Sequence, residues 1–463
     1  MSEKFVHPYI PNSNPKIQRE MLEAINVQDI EELFASLPDD HRFKGNLELP
    51  KPLLSEASLK KHVHGILAKN QTSSEYLSFL GGGCWNHHVP AICDEIANRS
   101  EFLTAYAGEP YEDHGRFQAI FEYTSMMAEL LDVDVVNVPT YDGSQAAATA
   151  LRMACRITNR PEVLVAGSTA PNRLSAIEGY LYPDIKVKHI AFDPASGLMN
   201  MDDLSGKISK ETGAVYLENP AYLGYMETQI QTISALAHQN GALSVAWADP
   251  STLGILKPPS NYEVDLTCGE IQPLGLHMAM GGSRGGFIGS PDEERFIQEY
   301  PSRLFGIAPT THNEWGFGDV AWERTSFANR ENPREFVGTA SALWGITAGV
   351  YLALLGPEGM RKLGENCLKR TAYALNKLSA LSGVKAPAIG RNFFKEFAIN
   401  FDDTNKSVRE INNQLMENGI MGGHDLSKEY PQLGESALYS FTEVHSKEDI
   451  DCLVSVLESI IRR

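Results

Sequence analysis

Three stretches of this 463-residue chain set chemically capable side chains beside backbone that a small molecule can approach. Gly81-Gly82-Gly83 runs through Cys84 and Trp85 into Asn86, His87 and His88. Successive glycines open backbone shapes closed to other residues, and neighbouring imidazoles suit a substrate carboxylate or a proton in transit. The competing reading is a plain surface turn with structural histidines. Asp142-Gly143-Ser144 opens a helical run, where free N–H groups and a hydroxyl suit an anion. An ordinary N-cap is the alternative there. Arg284 stands among Gly281, Gly282, Gly285 and Gly286, either as a carboxylate or phosphate ligand or as a surface arginine.

Composition narrows the partners. Forty basic residues against 59 acidic ones give a net charge of −19. That balance argues against nucleic acid, whose phosphates need clustered Lys and Arg, and against an anionic membrane surface. The uncharged stretch Gly338–Pro357 is long enough to span a bilayer. Its Gly, Ala, Ser and Thr content makes a buried helix the expectation instead. The six cysteines, Cys84, Cys93, Cys155, Cys268, Cys367 and Cys452, form no Cys-x-x-Cys pair and show no zinc spacing. They read as reduced thiols, most of them buried, and no metal site is expected. The opening MSEKFVHPYIPNSNPKIQ has no apolar core of signal-peptide length, so a cytoplasmic protein is expected.

The elements that must position these residues follow from periodicity. Residues 1–75 read as an arm of short helices, with Asn14-Pro15 as a cap and first-turn pair. Apolar residues at helical spacing begin at Arg116. Strands are expected at Val135–Val138, Val163–Ala166, Val187–Phe192, Ala214–Leu217, Ala242–Trp247 and Val264–Thr267, with Gly286–Gly289 as a further candidate. Amphipathic runs alternate with them, which predicts a mostly parallel sheet covered by helices over residues 76–340. Residues 341–463 read as a linking helix and a small α+β domain. A large doubly wound domain followed by a small α+β one is the layout of fold type I pyridoxal-phosphate enzymes. In that fold the cofactor phosphate sits at the turn where Asp142, Gly143 and Ser144 fall. An aspartate at a strand end faces the pyridine nitrogen, the position of Asp249, which a strand-ending turn would also explain. Such an enzyme needs a lysine to hold the cofactor. The stretch Gly269–Gly286 contains none, and Lys257 lies in a proline-rich loop before the strand.

From Ile10 to about Arg370 the sequence resembles the α subunit of two-subunit glycine dehydrogenase (decarboxylating), the P-protein of the glycine cleavage system. The words that carry the resemblance are ELFASLP, SFLGGG with NHHVP, EFLTAY, QAIFEY, TYDGSQAAATAL, GALSVAWADPSTLGIL, CGEIQPLG, GGSRGGF and VYLALLGPEGM. The resemblance implies the fold type I architecture, with Pro273 at the position of the β subunit's cofactor lysine and pyridoxal phosphate held by that partner. It implies an α2β2 assembly that decarboxylates glycine and passes the aminomethyl group to the lipoyl arm of H-protein. Residues 108–115 and 323–339 depart from the family's wording, with Arg330, Glu331 and Thr339 retained and Ser283 in place of a proline. A diverged member is thereby implied. A paralogous complex acting on another small amino acid or amine, and a catalytically silent scaffold, stay open as alternatives.

Overall fold

In the computed structural model the most apolar runs of the sequence form the middle of one sheet. The structure describes residues 6–45, 47–102, 116–282, 284–329, 331–332, 334–335, 337–338 and 340–462. The sequence features at residues 103–115, Ser283, Arg330 and Thr339 lie outside them. The chain divides into two units, Met1–Asn70 and Gln71–Arg463. In the first, helix Pro15–Ala24 starts at Asn14, whose Oδ1 accepts from the Lys16 N–H at 2.9 Å. A single turn, Ile30–Phe34, is closed reciprocally by Asp29 and Glu32, and Ser55 caps helix Glu56–Leu67. None of these elements buries a residue.

In the second unit seven strands form the large sheet: β1 (Val135–Val136), β2 (Glu162–Ala166), β3 (Lys186–Ile190), β4 (Thr212–Asn219), β5 (Leu243–Ala248), β6 (Leu266–Glu270) and β7 (Gly286–Ser290). Their order is β1-β7-β6-β5-β4-β2-β3. The β2–β6 block is parallel, and β7 runs antiparallel to both β6 and β1. The sixth expected strand starts two residues later than its valine suggested and continues through Gly269 and Glu270. β2, β5, β6 and β7 are buried along their whole length, which is why they read as unbroken apolar runs and not as alternating ones. β3, at the edge, keeps Lys186 exposed and Lys188 partly so, a common guard against edge pairing.

Side-chain alternation sends each strand to two cores. Val163, Val165, Val245 and Trp247 pack with α2 (Gly143–Thr158) and α3 (Pro171–Leu181). Leu164, Ala166 and Ala246 pack with α4 (Ile230–Gln239) on the opposite face. Helices on both faces make the sheet doubly wound.

The uncharged stretch forms the first part of α5 (Ala342–Leu378), whose residues Gly345–Gly349 are buried. Among the described residues no helix is long and apolar enough to cross a membrane. A small sheet, β8 (Glu396–Asn400), β9 (His424–Asp425) and β10 (Ser436–Ser440), is ordered β8-β10-β9 and all antiparallel. With α6 (Val408–Glu417) and α7 (Lys447–Ile461) it surrounds Phe397, Phe441, Leu415 and Leu453. Leu77–Ser78 pairs in parallel with Ile420–Met421, and Phe79 is fully buried in this second core. The glycine-rich loop therefore leaves the small sheet directly toward the large one.

Within α5, Gly356 adopts φ 58°, ψ −174° just before Pro357, and the helix bends there. That conformation is essentially reserved for glycine. An added Cβ would meet nothing within 4 Å. Gly356→Ala should therefore cost about 1–3 kcal/mol from backbone strain alone, read as a lower denaturation midpoint at unchanged m-value. An unshifted midpoint would show that the bend does not depend on glycine.

Candidate functional site

The carboxyl ends of the parallel strands are where open α/β sheets take ligands. Register places Ala248 opposite Gly269, so Asp249 and Glu270 emerge side by side at that edge. Asp249 is buried; its Oδ1 accepts from the Ser251 N–H at 3.0 Å and from the Ser251 hydroxyl at 2.8 Å. Its Oδ2 lies 2.7 Å from the ammonium of Lys395, which directly precedes β8. The Lys395 side chain is 2% exposed. Its Nζ also reaches the Ser251 hydroxyl at 3.1 Å and His87 Nε2 at 3.0 Å, and lies 3.5 Å from the Trp85 ring centre.

His87 carries the line onward. Facing an ammonium, Nε2 is the acceptor, which leaves the Nδ1–H to donate to Glu443 at 2.7 Å. The His88 N–H donates to the other Glu443 oxygen at 2.8 Å, while the His88 side chain is exposed. Asn86 takes part through its carbonyl, which accepts from the Thr442 hydroxyl. Of the three residues on the glycine loop, His87 alone turns its side chain into this network. Gly82 and Gly83 take φ of 81° and 116°, and the tight turn they make aims it inward.

The anion-type turn is present and already filled from within. Gly143, at the start of α2, donates its N–H to Glu270 Oε2 at 2.8 Å. Arg284 and Gly285 donate theirs to Glu270 Oε1 at 3.0 and 2.9 Å. Asp142 is the N-cap, its Oδ1 accepting from the Gln145 N–H at 2.7 Å. Ser144 is half-buried on the first turn. Arg284 turns its guanidinium away, with Nε donating to the His277 carbonyl at 3.1 Å and the group 4.8 Å from the Trp344 ring centre. Between this turn and Asp249 stands Arg173, paired with Glu218 and stacked 3.3 Å from the Trp247 ring centre. Pro273 is buried just beyond β6, next to Gln272, which holds the glycine loop through both the Trp85 N–H and carbonyl. Lys257 is exposed.

Three of these groups titrate away from their ordinary values. Burial pushes Glu270 up to about 7 against its three N–H donors. Burial likewise raises Glu396, neighbour of Lys395, to about 7, against the Gly82 N–H that it accepts at 2.7 Å. Burial also works against charge on Glu443, but His87 and the His88 N–H outweigh it and hold the carboxyl down at about 2. Among the described residues His87, Cys367 and Glu443 bring possible ligand atoms within 4.8 Å of one another. Spacing along the chain gave no sign of this group. The Lys395 ammonium on His87 opposes a second cation there, and burial, with the Glu443 charge, keeps the Cys367 thiol protonated. All six cysteines are free, and four are buried.

Of the residues singled out in the sequence, Asp249 and His87 are brought together by Lys395. Lys395, Glu270, Arg173, Glu218 and Trp247 are not among those residues. The available signals were charge inside apolar strands: Lys-Glu within FFKEFAINF, and glutamate closing LTCGE.

This architecture is that of the fold type I pyridoxal-phosphate enzymes. A sphingosine-1-phosphate lyase of Burkholderia pseudomallei shares it at a TM-score of 0.64 and 14% identity, over 93% of this chain and 94% of that one. The model of the glycine cleavage system P-protein family matches residues 7–457, and the chain belongs to that family. A crystal structure of glycine decarboxylase (P-protein) in inhibitor-bound form is similar at a TM-score of 0.84 and 31% identity, over 98% of this chain and 100% of that one. A Staphylothermus marinus protein named probable glycine dehydrogenase (decarboxylating) subunit 1 is 37% identical over 464 residues, 98% of each chain.

The residues present do not fit pyridoxal phosphate. Lys395 sits on Asp249, the Glu270 carboxylate takes the Gly143 N–H of the anion turn, and Arg173 stacks on Trp247 beside them. The cavity that remains is about 20 Å³, room for about one water, where small-molecule sites run to ~300 Å³ or more.

A pH dependence follows from Glu396. Its folded value is raised, so its contribution to stability is present below about 4.5 and lost as pH rises through about 7. Glu396→Gln keeps an acceptor for Gly82 and removes that titration. The melting temperature of the variant should therefore gain on the parent's between pH 5 and 8. A difference that stays constant with pH would refute the assignment.

Proposed function

We infer that this chain is the α-type subunit of a glycine decarboxylase of the glycine cleavage system, working with a β-type partner that holds the pyridoxal phosphate. The observation that carries this reading is the filled pocket. The positions where fold type I enzymes hold the cofactor are taken on this chain by its own side chains, and Lys395 is committed to Asp249; the family resemblance puts Pro273 at the position of the partner's cofactor lysine. Near-full-length similarity to a protein named subunit 1 supports the same division of labour. In this reading the partner supplies the chemistry that releases carbon dioxide from glycine. The aminomethyl group then passes to the lipoyl arm of H-protein, in an α2β2 complex of the cytoplasm.

The N-terminal unit supports assembly. Tyr9, Phe43, Leu49 and Leu54 are each more than two-thirds exposed, with values of 88, 71, 73 and 91%. Apolar side chains left open in this number mark a surface that another chain covers.

The test is reconstitution. The purified chain, incubated with pyridoxal phosphate and then freed of unbound cofactor, should retain no cofactor band, and with glycine it should show no exchange of labelled carbon dioxide into the glycine carboxyl. Co-expressed with a β-type partner and supplied with lipoylated H-protein, it should show both. Leu49→Glu with Leu54→Glu should weaken co-elution of the two chains without lowering the melting temperature of this one. Glycine decarboxylation by the chain alone would overturn the subunit reading.

A further inference from the structure

Two charges lie where the fold type I site would hold its cofactor, and each has the sign of the part it displaces. The Lys395 ammonium stands 2.7 Å from Asp249, the carboxylate that would face a protonated pyridine nitrogen. The Glu270 carboxylate collects the Gly143 N–H at 2.8 Å, in the turn that would hold a phosphate, and the Arg284 and Gly285 N–H groups at 3.0 and 2.9 Å from the loop before β7. Both side chains are all but fully buried. Without them Asp249 would be an uncompensated carboxylate, and three N–H donors would point into a dry cavity. Either condition is costly. The two residues come from different segments, one ending a strand of the large sheet and one entering the small sheet.

We propose that Lys395 and Glu270 are built-in substitutes for the cofactor, a cation on Asp249 and an anion at the α2 turn, which close this pocket permanently, the Lys395–Asp249 pair also tying the two sheets together without a ligand. The proposal rests on the subunit reading above and deepens it. The pocket on this chain is a structural clamp, and Glu270 is the plug of an anion cup that still exists beneath it.

The cup can be uncovered. In the full-length chain, Glu270→Ala removes the plug and leaves the three N–H groups directed at empty space. Its melting temperature should fall in chloride buffer and recover when inorganic phosphate replaces chloride at matched ionic strength. The parent should show no such response. Glu270→Ser is read in the same way should the alanine variant fail to fold. On the cation side, Lys395→Met and Asp249→Asn should each lower the melting temperature, and together should lower it by less than the sum of the two. A phosphate response in the parent, a folded Glu270 variant indifferent to phosphate, or additivity of the Lys395 and Asp249 changes would each overturn the proposal. These results are independent of glycine turnover. Decarboxylation by the chain alone would remove the subunit reading and leave the thermal data standing, whereas a phosphate response in the parent would remove the clamp and leave the subunit reading standing.

Discussion

The contact between Lys395 and Asp249 organises everything around it. An ammonium and a carboxylate taken out of water at this burial each forfeit several kcal/mol of hydration, and only close mutual approach offsets it. The approach is possible because Ser251 bonds the other oxygen of Asp249, Trp85 offers its ring face to the ammonium, and His87 accepts from it. These groups arrive from three segments: Ser251 from the end of β5, Trp85 and His87 from the glycine loop, and Lys395 from the entry to β8. The large and small sheets thus meet over a charge pair that tolerates little displacement. The glycine loop is fixed on both sides of it, by Gln272 below and by Glu443 above.

The two filled positions are unequal in character. The lysine end is an ion pair with a short polar tail leading through His87 to Glu443. The glutamate end is a carboxylate held by backbone N–H groups alone, at the start of a 16-residue helix whose dipole also favours negative charge. Burial nonetheless brings Glu270 to about 7, so desolvation outweighs the N–H donors. Arg173, between them, is settled with Glu218 and Trp247 and does not bridge the two. The result is a set of local neutralisations and no open field that would draw in a charged ligand.

Much of this was legible in the sequence, and the limits have physical causes. Central parallel strands announce themselves because both of their faces are apolar. β6 was misplaced by two residues because its last positions, Gly269 and Glu270, look like loop, yet Glu270 is buried by bonding the backbone of a neighbouring turn. The hairpin of Phe305–Pro309 and Trp315–Asp319 escaped notice because its glycine-rich strands carry no period-two signal. Asp249 and His87 could be nominated since each stands beside a recognisable turn. Lys395 could not be linked to Asp249, because 146 residues separate them in the sequence and the connection exists only once the small sheet has docked. The stretch near the end of β6 holds no lysine, and no local pattern points to Lys395, which reaches Asp249 from the opposite side.

The Arg173–Trp247 stack has a bearing on the chain's possible histories. An enzyme site that is simply vacated can be restored by one substitution. Here the volume is core, with a guanidinium lying on an indole and each neighbouring charge given a partner. Withdrawing Lys395, Arg173 or Glu270 singly strands a buried charge or a set of donors, at about 3–5 kcal/mol for a broken buried ion pair. That is a large share of the ~5–15 kcal/mol by which most folds persist. A change toward cofactor binding therefore runs through intermediates less stable than either end, and the pocket's packing acts as a ratchet that holds the chain in its present form.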